Sequence, residues 1–262
     1  MILRRLGNKQ KIAKDIQAYF PRHDIYIEPF FGAGGMFFNK GIAKYSIVND
    51  NDNDVYNLFK VVLDKKEALI ELVKIVPLHN ELLTFWKNNK ETDDLRKALR
   101  FLFLSNVTLL GTGTSLRYTT QEDRQQILSK IDITFKKIKN TTFNNVDFHK
   151  FLNDISFRHG KQDIDRAFIY ADPPYIDTTN NYKNGFTKQD TIDLFDKLTE
   201  MQCKFAISEF DNEFVINEAK NRKLNINYIG ERRNLKNKRT EILITNYTIK
   251  NNTFNLLSNI NK

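Results

Sequence analysis

Ala167-Phe168-Ile169-Tyr170-Ala171-Asp172-Pro173-Pro174-Tyr175 is the stretch on which the fold of this chain turns. Five apolar or aromatic residues without a charge make a strand, and Asp-Pro-Pro ends it, because proline offers no N–H to a ladder and fixes its own φ. Two of the chain's five prolines stand side by side here. The backbone is therefore stiff, and a carboxylate and an aromatic ring are held at the carboxyl end of a strand. That is the end at which open α/β sheets bind ligands. A proline-rich loop that simply closes a strand has the same local pattern, so the neighbouring segments have to decide.

Upstream, Ile12, Ala13, Ile16, Tyr19 and Phe20 recur at helical spacing until Pro21. Ile25-Tyr26-Ile27-Glu28 is a short β-type run followed by Pro29-Phe30-Phe31-Gly32-Ala33-Gly34-Gly35, and Tyr45-Ser46-Ile47-Val48-Asn49 is a second strand ending in Asp50. Downstream, strands are predicted over 204–208, 224–228 and 241–247, with helices over 188–201 and 211–222 between them. The middle differs. Leu58, Phe59, Val62 and Leu63, then Leu69, Ile70, Leu72 and Val73, then 95–104 and 121–139 read as helices, with a turn or hairpin over 110–118. The pattern predicts an α/β fold, a Rossmann-like doubly wound sheet built from residues 1–55 and 141–262, interrupted by a mainly helical insertion over 56–140.

Composition narrows the class. The chain has 262 residues, 40% hydrophobic and 28% charged, which is ordinary for a globular protein with a real core. No apolar run approaches the ~20 residues of a membrane span, and Met1-Ile2-Leu3-Arg4-Arg5 leads into polar sequence, so neither a membrane anchor nor a signal peptide is expected. One cysteine, Cys203, allows no internal disulfide; it lies beside an apolar run and reads as a core thiol, and a cytoplasmic setting follows. The four histidines are scattered, so no metal site is expected. Lys and Arg exceed Asp and Glu by 41 to 32, a net charge of +9 that suits a polyanion such as nucleic acid, although solubility alone would use the same excess.

The two loops carry the chemistry. A carboxylate and a proline carbonyl fixed close together offer two acceptors. An exocyclic amine has two N–H donors and a lone pair delocalised into its ring, and two acceptors aimed at those hydrogens draw the nitrogen towards a nucleophilic geometry. Tyr175 supplies a face for a flat base. The set suits methylation of adenine N6 or cytosine N4. In the upstream loop, glycines allow close backbone approach. The spacing is not G-x-G-x-x-G, yet Asp50 follows Gly32 at about the distance expected of a ribose-hydroxyl acceptor.

Lys9 after Gly7-Asn8, the Glu28–Gly35 loop, Asp50, Asp172-Pro173-Pro174-Tyr175 and the ending Arg239-Thr240-Glu241-Ile242-Leu243-Ile244-Thr245-Asn246-Tyr247 together resemble the Dam-type (alpha-group) site-specific DNA adenine-N6 methyltransferases. The likeness covers about 1–60 and 140–250, in that family's order: glycine loop, target-recognition insertion, catalytic motif. It implies S-adenosyl-L-methionine as methyl donor, direct in-line displacement without a covalent enzyme intermediate, and a flipped-out adenine in double-stranded DNA. It implies a catalytic role for Asp172, Pro173, Pro174 and Tyr175. Cofactor contacts fall to Arg5, Lys9, Phe30, Gly32, Gly34, Asp50 and Asp172, with Lys9 reaching the cofactor's carboxylate and Asp50 its ribose. Arg5 stands where many relatives carry a tryptophan.

In the insertion, Gly111-Thr112-Gly113-Thr114-Ser115-Leu116-Arg117-Tyr118 keeps only the Leu-Arg-Tyr ending of the hairpin found in GATC-specific relatives. Leu116, Arg117 and Tyr118 are its candidate DNA contacts, since Arg reads guanine O6 and N7. The resemblance further implies a prokaryotic or phage protein acting as a monomer, with a cognate restriction endonuclease encoded nearby. The residues alone leave open a cytosine-N4 or RNA-adenine substrate, or a non-catalytic DNA-binding module that keeps the fold. The part played by Glu209-Phe210-Asp211 is open too, with Asp211 as a helix cap the simplest role.

Overall fold

A computed structural model describes residues 1–4, 9–77, 79–108, 115, 121–176, 186–233 and 238–248. Seven strands form one sheet: β1 (Ile25–Glu28), β2 (Tyr45–Asn49), β3 (Thr141–Asn144), β4 (Ala167–Ala171), β5 (Lys204–Phe210), β6 (Asn225–Arg233) and β7 (Lys238–Thr245). Their spatial order is β3-β2-β1-β4-β5-β7-β6. The first five strands are parallel, whereas β7 runs antiparallel between β5 and β6. The chain therefore builds outward from β1 to β3, then returns to place β4 on the other side of β1. That reversal opens a crevice at the carboxyl ends of β1 and β4, where a doubly wound sheet takes its ligand.

Helix α1 (Ala13–Gln17) precedes β1. Between β2 and β3 lie α2 (Asn53–Asp64), α3 (Lys66–Ile75), α4 (Asn80–Asn88), α5 (Asp94–Val107) and α6 (Gln121–Ile138). The second half adds α7 (Phe148–Asp154), α8 (Lys161–Arg166), α9 (Lys188–Glu200) and α10 (Glu213–Asn221). Side chains alternate across the sheet. On one face Tyr26, Phe168, Tyr170 and Leu243 pack in one cluster with Leu58, Phe59, Leu102 and Ile131 of the helical block. On the other, Ile27, Ile169, Ile207 and Ile242 meet Phe151 of α7, Leu194 and Leu198 of α9 and Val215 of α10. Strand β4 is buried at all five positions because both faces are covered, which is why its sequence is apolar without alternation.

Local signals set the helix ends. The Asp52 side chain caps α2, and Thr187 with Asp190 forms a reciprocal capping box on α9. The cap of α10 is Asn212, whose side chain accepts from Phe214 N, so Asp211 does not fill the capping role expected of it. In the helical block the Arg124 guanidinium donates to the carbonyls of Val73, Lys74 and Val76 at 2.6, 2.7 and 2.8 Å, satisfying the open end of α3. The short helices α7 and α8 and strand β3 carry no strong periodic signal in the sequence, whereas α4 is amphipathic, burying Leu83 and Trp86, and falls outside the helices predicted from the sequence. Strand β3 reads Thr-Thr-Phe-Asn and lies at the sheet edge, where only Phe143 packs on the core, against Phe31 and Phe59.

Candidate active site

Strand β1 ends at Glu28, and the chain then turns through the glycine loop. Gly34 has φ +72°, and a Cβ there would lie 2.5 Å from Phe38 Cε2, so only glycine fits. Gly32 has φ +54°, but a Cβ on it would meet nothing within 4 Å. Its outer side is open space. The Gly32 amide donates to Asp50 Oδ2 at 2.5 Å and the Asp52 amide donates to Asp50 Oδ1 at 2.8 Å, which fixes the carboxylate at the end of β2 beside the loop. Buried Asn49 fastens the adjoining turns: its amide donates to the carbonyls of Pro29 (3.1 Å) and Val146 (2.9 Å), and its oxygen accepts from Val146 N at 3.1 Å. Phe30 packs against Phe148 and Phe186, with ring centroids 5.4 and 5.8 Å away.

These residues fit S-adenosylmethionine. Gly32 leaves space along the backbone, the half-buried Phe30 ring offers an apolar wall, and a carboxylate has about four acceptor sites.

The second half of the site converges on one oxygen. Asp172, 22% exposed, follows β4 and meets Lys9 Nζ at 3.2 Å through Oδ1. Lys9 opens a single 3₁₀ turn at Lys9–Lys11 and is only 2% exposed. The first residues of the chain are clipped to α5, where the Asn106 amide donates to Ile2 O at 2.8 Å and Arg4 N donates to Ser105 Oγ at 2.8 Å. Lys9 also pairs directly with Glu241 of β7, which is fully buried. Glu241 Oε1 further accepts from Ser208 Oγ at 2.8 Å and from the Tyr175 hydroxyl at 2.9 Å. The Lys9 ammonium lies 4.4 Å from the Tyr175 ring centroid, and Phe210 meets that ring edge-to-face at 4.4 Å. Pro173 is buried, and Pro174 and Tyr175 are half-buried.

Burial dominates the electrostatics around this cluster. It pushes the Glu28 carboxyl well above the ordinary range; the Tyr26 hydroxyl, which donates to it at 2.8 Å, opposes the rise, and the charges of Asp172 and Asp50 add to it. Burial likewise raises Glu209, whose carboxylate accepts from Phe210 N at 2.8 Å. Burial lowers Lys40 to about 8, with its ammonium 4.1 Å from the Tyr26 ring centroid.

The structure thus brings Lys9, Asp172 and Tyr175 into contact, and sets Phe30, Gly32, Gly34 and Asp50 at the neighbouring strand ends. Arg5, Leu116, Arg117 and Tyr118 lie outside the described residues. Ser208, Phe210 and Glu241 are functional candidates that the sequence reading did not assign. The available signal was a carboxylate at the head of the apolar run Ile242-Leu243-Ile244.

A family model described as "D12 class N6 adenine-specific DNA methyltransferase" matches residues 6–242. A relative named "Type II methyltransferase M1.LlaDCHI" from Lactococcus lactis subsp. cremoris is 24% identical over 92% of this chain and 93% of its own. The "DNA adenine methylase" of Escherichia coli (strain K12) is 24% identical, covering 76% of this chain and 74% of its own. "Modification methylase StsI" of Streptococcus sanguinis is 25% identical over 98% of this chain but only 44% of its own length. A strand-end carboxylate beside a half-buried aromatic ring, a glycine loop with its acidic partner, and a family match across nearly the whole sequence agree: this chain belongs to the D12 class N6 adenine-specific DNA methyltransferases.

Proposed function

We propose that the enzyme binds double-stranded DNA at a specific sequence, flips an adenine out of the stack, and presents its N6 amine to the methyl donor at the carboxyl end of β4. The observation that carries this reading is the cluster in which Lys9 pairs with both Asp172 and Glu241 while the Tyr175 hydroxyl donates to Glu241, beside the glycine loop that Asp50 holds. Lys9, Asp50, Phe30 and the backbone of Gly32 to Gly34 would hold S-adenosylmethionine, and Arg5 is assigned to the same cofactor by the family resemblance alone. When bound, that group supplies an electrophilic methyl.

The protein's own residues do the rest. Asp172 and the Pro173 carbonyl each accept one N–H of the adenine amine, localising its lone pair on nitrogen. Pro173 and Pro174 keep that pair of acceptors rigid, so little reorganisation is needed as charge develops. Tyr175 provides the stacking face, its ring braced by Phe210 and its hydroxyl anchored on Glu241. Unstacking a base costs a few kcal/mol, and backbone contacts from a basic surface offset it. Sequence reading belongs to the insertion over 56–140, with Arg117 towards a guanine and Leu116 or Tyr118 in the gap left by the flipped base.

The setting that fits is the cytoplasm of a prokaryote or a phage-infected cell. Among the described residues no helix is long and apolar enough to cross a membrane. The enzyme acts as a monomer, and by likeness to the type II methyltransferase it accompanies a cognate restriction endonuclease encoded nearby. The test is methylation of a duplex oligonucleotide library with methyl-labelled cofactor, followed by nucleoside analysis. N6-methyldeoxyadenosine confined to one sequence is expected; N4-methylcytosine, a preference for RNA, or no product would overturn the reading.

A further inference from the structure

Glu241 never reaches the crevice, because it is fully buried on β7, yet its Oε1 meets Lys9, Tyr175 and Ser208. Asp172 competes with it for the same ammonium at 3.2 Å. One cation thus lies between two carboxylates, and its position decides which of them is neutralised. An ammonium held wholly by Asp172 weakens that carboxylate as an acceptor for a substrate amine. An ammonium anchored on Glu241 withdraws less charge from Asp172. The same oxygen takes the Tyr175 hydroxyl, which fixes the tilt of the ring that Phe210 braces from the side.

We propose that Glu241 is a positioning residue: its charge keeps Lys9 from neutralising Asp172, and its carboxylate locks the Tyr175 ring in the stacking orientation. The proposal rests on the assignment of Asp172 and Tyr175 to the adenine. Glu241 comes from the antiparallel β7, whereas Asp172 and Asp50 follow the parallel strands β4 and β2.

The test compares Glu241→Gln, which keeps shape and loses charge, with Glu241→Asp, which keeps charge and loses reach. Single-turnover methyl transfer to duplex DNA is measured at saturating cofactor, alongside cofactor affinity by calorimetry and thermal melting. A charge-holding role makes the Asp variant faster than the Gln variant. The Gln variant should lose about 10- to 100-fold in rate at saturating cofactor, as for a charge-assisted hydrogen bond; its cofactor affinity falls as well, since Lys9 is assigned to both, while its melting temperature changes far less. A residue that only fills space and accepts hydrogen bonds gives the opposite order, because glutamine reproduces both. That order, or a Gln variant at wild-type rate, would overturn the proposal, as would rate, affinity and melting falling together. Tyr175→Phe approaches the contact from the other side without touching the buried charges: a slowed rate at unchanged melting is expected, and full activity would remove Tyr175 from the proposal. The wild-type enzyme in the same assay separates the two levels. No N6-methyladenine from it means the functional reading has failed, whereas an active wild type with an equally active Gln variant means only Glu241 was misassigned.

Discussion

Replacing Asp172 by alanine should separate catalysis from folding. Asp172 supplies one of the two acceptors aimed at the amine, and loss of one such preorganised partner costs ~100- to 1,000-fold in rate. The structural cost is small because the group is partly exposed and its cation has a second partner. Lys9 keeps its pairing with Glu241, so no buried ammonium is orphaned. A partly solvated ion pair contributes about 1 kcal/mol or less, which for a domain of this size moves Tm by roughly 2–4 °C. Contacts to DNA phosphates are untouched. The assay is single-turnover methyl transfer at saturating cofactor, with duplex affinity by gel shift and Tm by calorimetry. A rate loss of that size, with DNA affinity retained and Tm nearly unchanged, is expected. Turnover within a few-fold of wild type, or a fall in DNA affinity matching the fall in rate, would refute the assignment of Asp172 to the amine.

Asp50→Ala should weaken S-adenosylmethionine about tenfold or more, since a charge-assisted hydrogen bond contributes roughly 1.5–3 kcal/mol; calorimetry reads this directly, and unchanged affinity would move the nucleoside pocket elsewhere. Gly34→Ala should lower both Tm and cofactor affinity, because φ is +72° and the added Cβ would meet Phe38 and Phe31 ring carbons at 2.5–2.8 Å; a variant with wild-type melting would show that the loop can yield. Glu28→Gln tests the buried carboxyl. Its raised pKa means that the folded state favours the protonated form, so wild-type stability is full below the unfolded value of 4.5 and is lost as pH rises towards the folded value. Melting curves across pH should therefore show the Gln variant gaining on wild type above pH 4.5, and a constant gap at all pH values would contradict this. Arg117→Ala should cost ~1–3 kcal/mol and relax preference at one base pair if Arg117 reads a base; a uniform loss with a shallower salt dependence would make it a phosphate contact instead.

The catalytic half was legible where chemistry and secondary structure coincide in a short stretch. Ala167 to Tyr175 shows strand, stop, carboxylate and aromatic ring in nine consecutive residues, and Glu28 to Gly35 shows strand end and glycine loop in eight. Helices α2, α3, α5 and α6 of the helical block were legible from their periodicity, and strands β5 and β7 from their apolar runs. Strand β3 was not, because four residues with one apolar side chain, Phe143 against Phe31 and Phe59, are too few to show an alternation. Glu241 was hidden for another reason. Its partners Lys9 and Tyr175 lie 232 and 66 residues away, and they meet it only because β7 runs antiparallel between β5 and β6 and sets Glu241 opposite Phe210. Ser208 and Phe210 share that dependence, since strand order between elements of similar composition is not written in either strand. Asn49 looked like the last polar residue of a strand, and its role as the fastening between two loops depends on β3 lying alongside.

The most direct measurement is a crystal structure of the enzyme with S-adenosylhomocysteine and a duplex carrying its target sequence. The expected result is an extrahelical adenine stacked on Tyr175, with N6 at hydrogen-bond distance, about 2.7–3.2 Å, from both Asp172 and the Pro173 carbonyl, and with Lys9 still on Glu241. An adenine that stays in the helix, or an amine bound by neither acceptor in an otherwise ordered pocket, would contradict the assignment of the strand-β4 terminus as the methylation site.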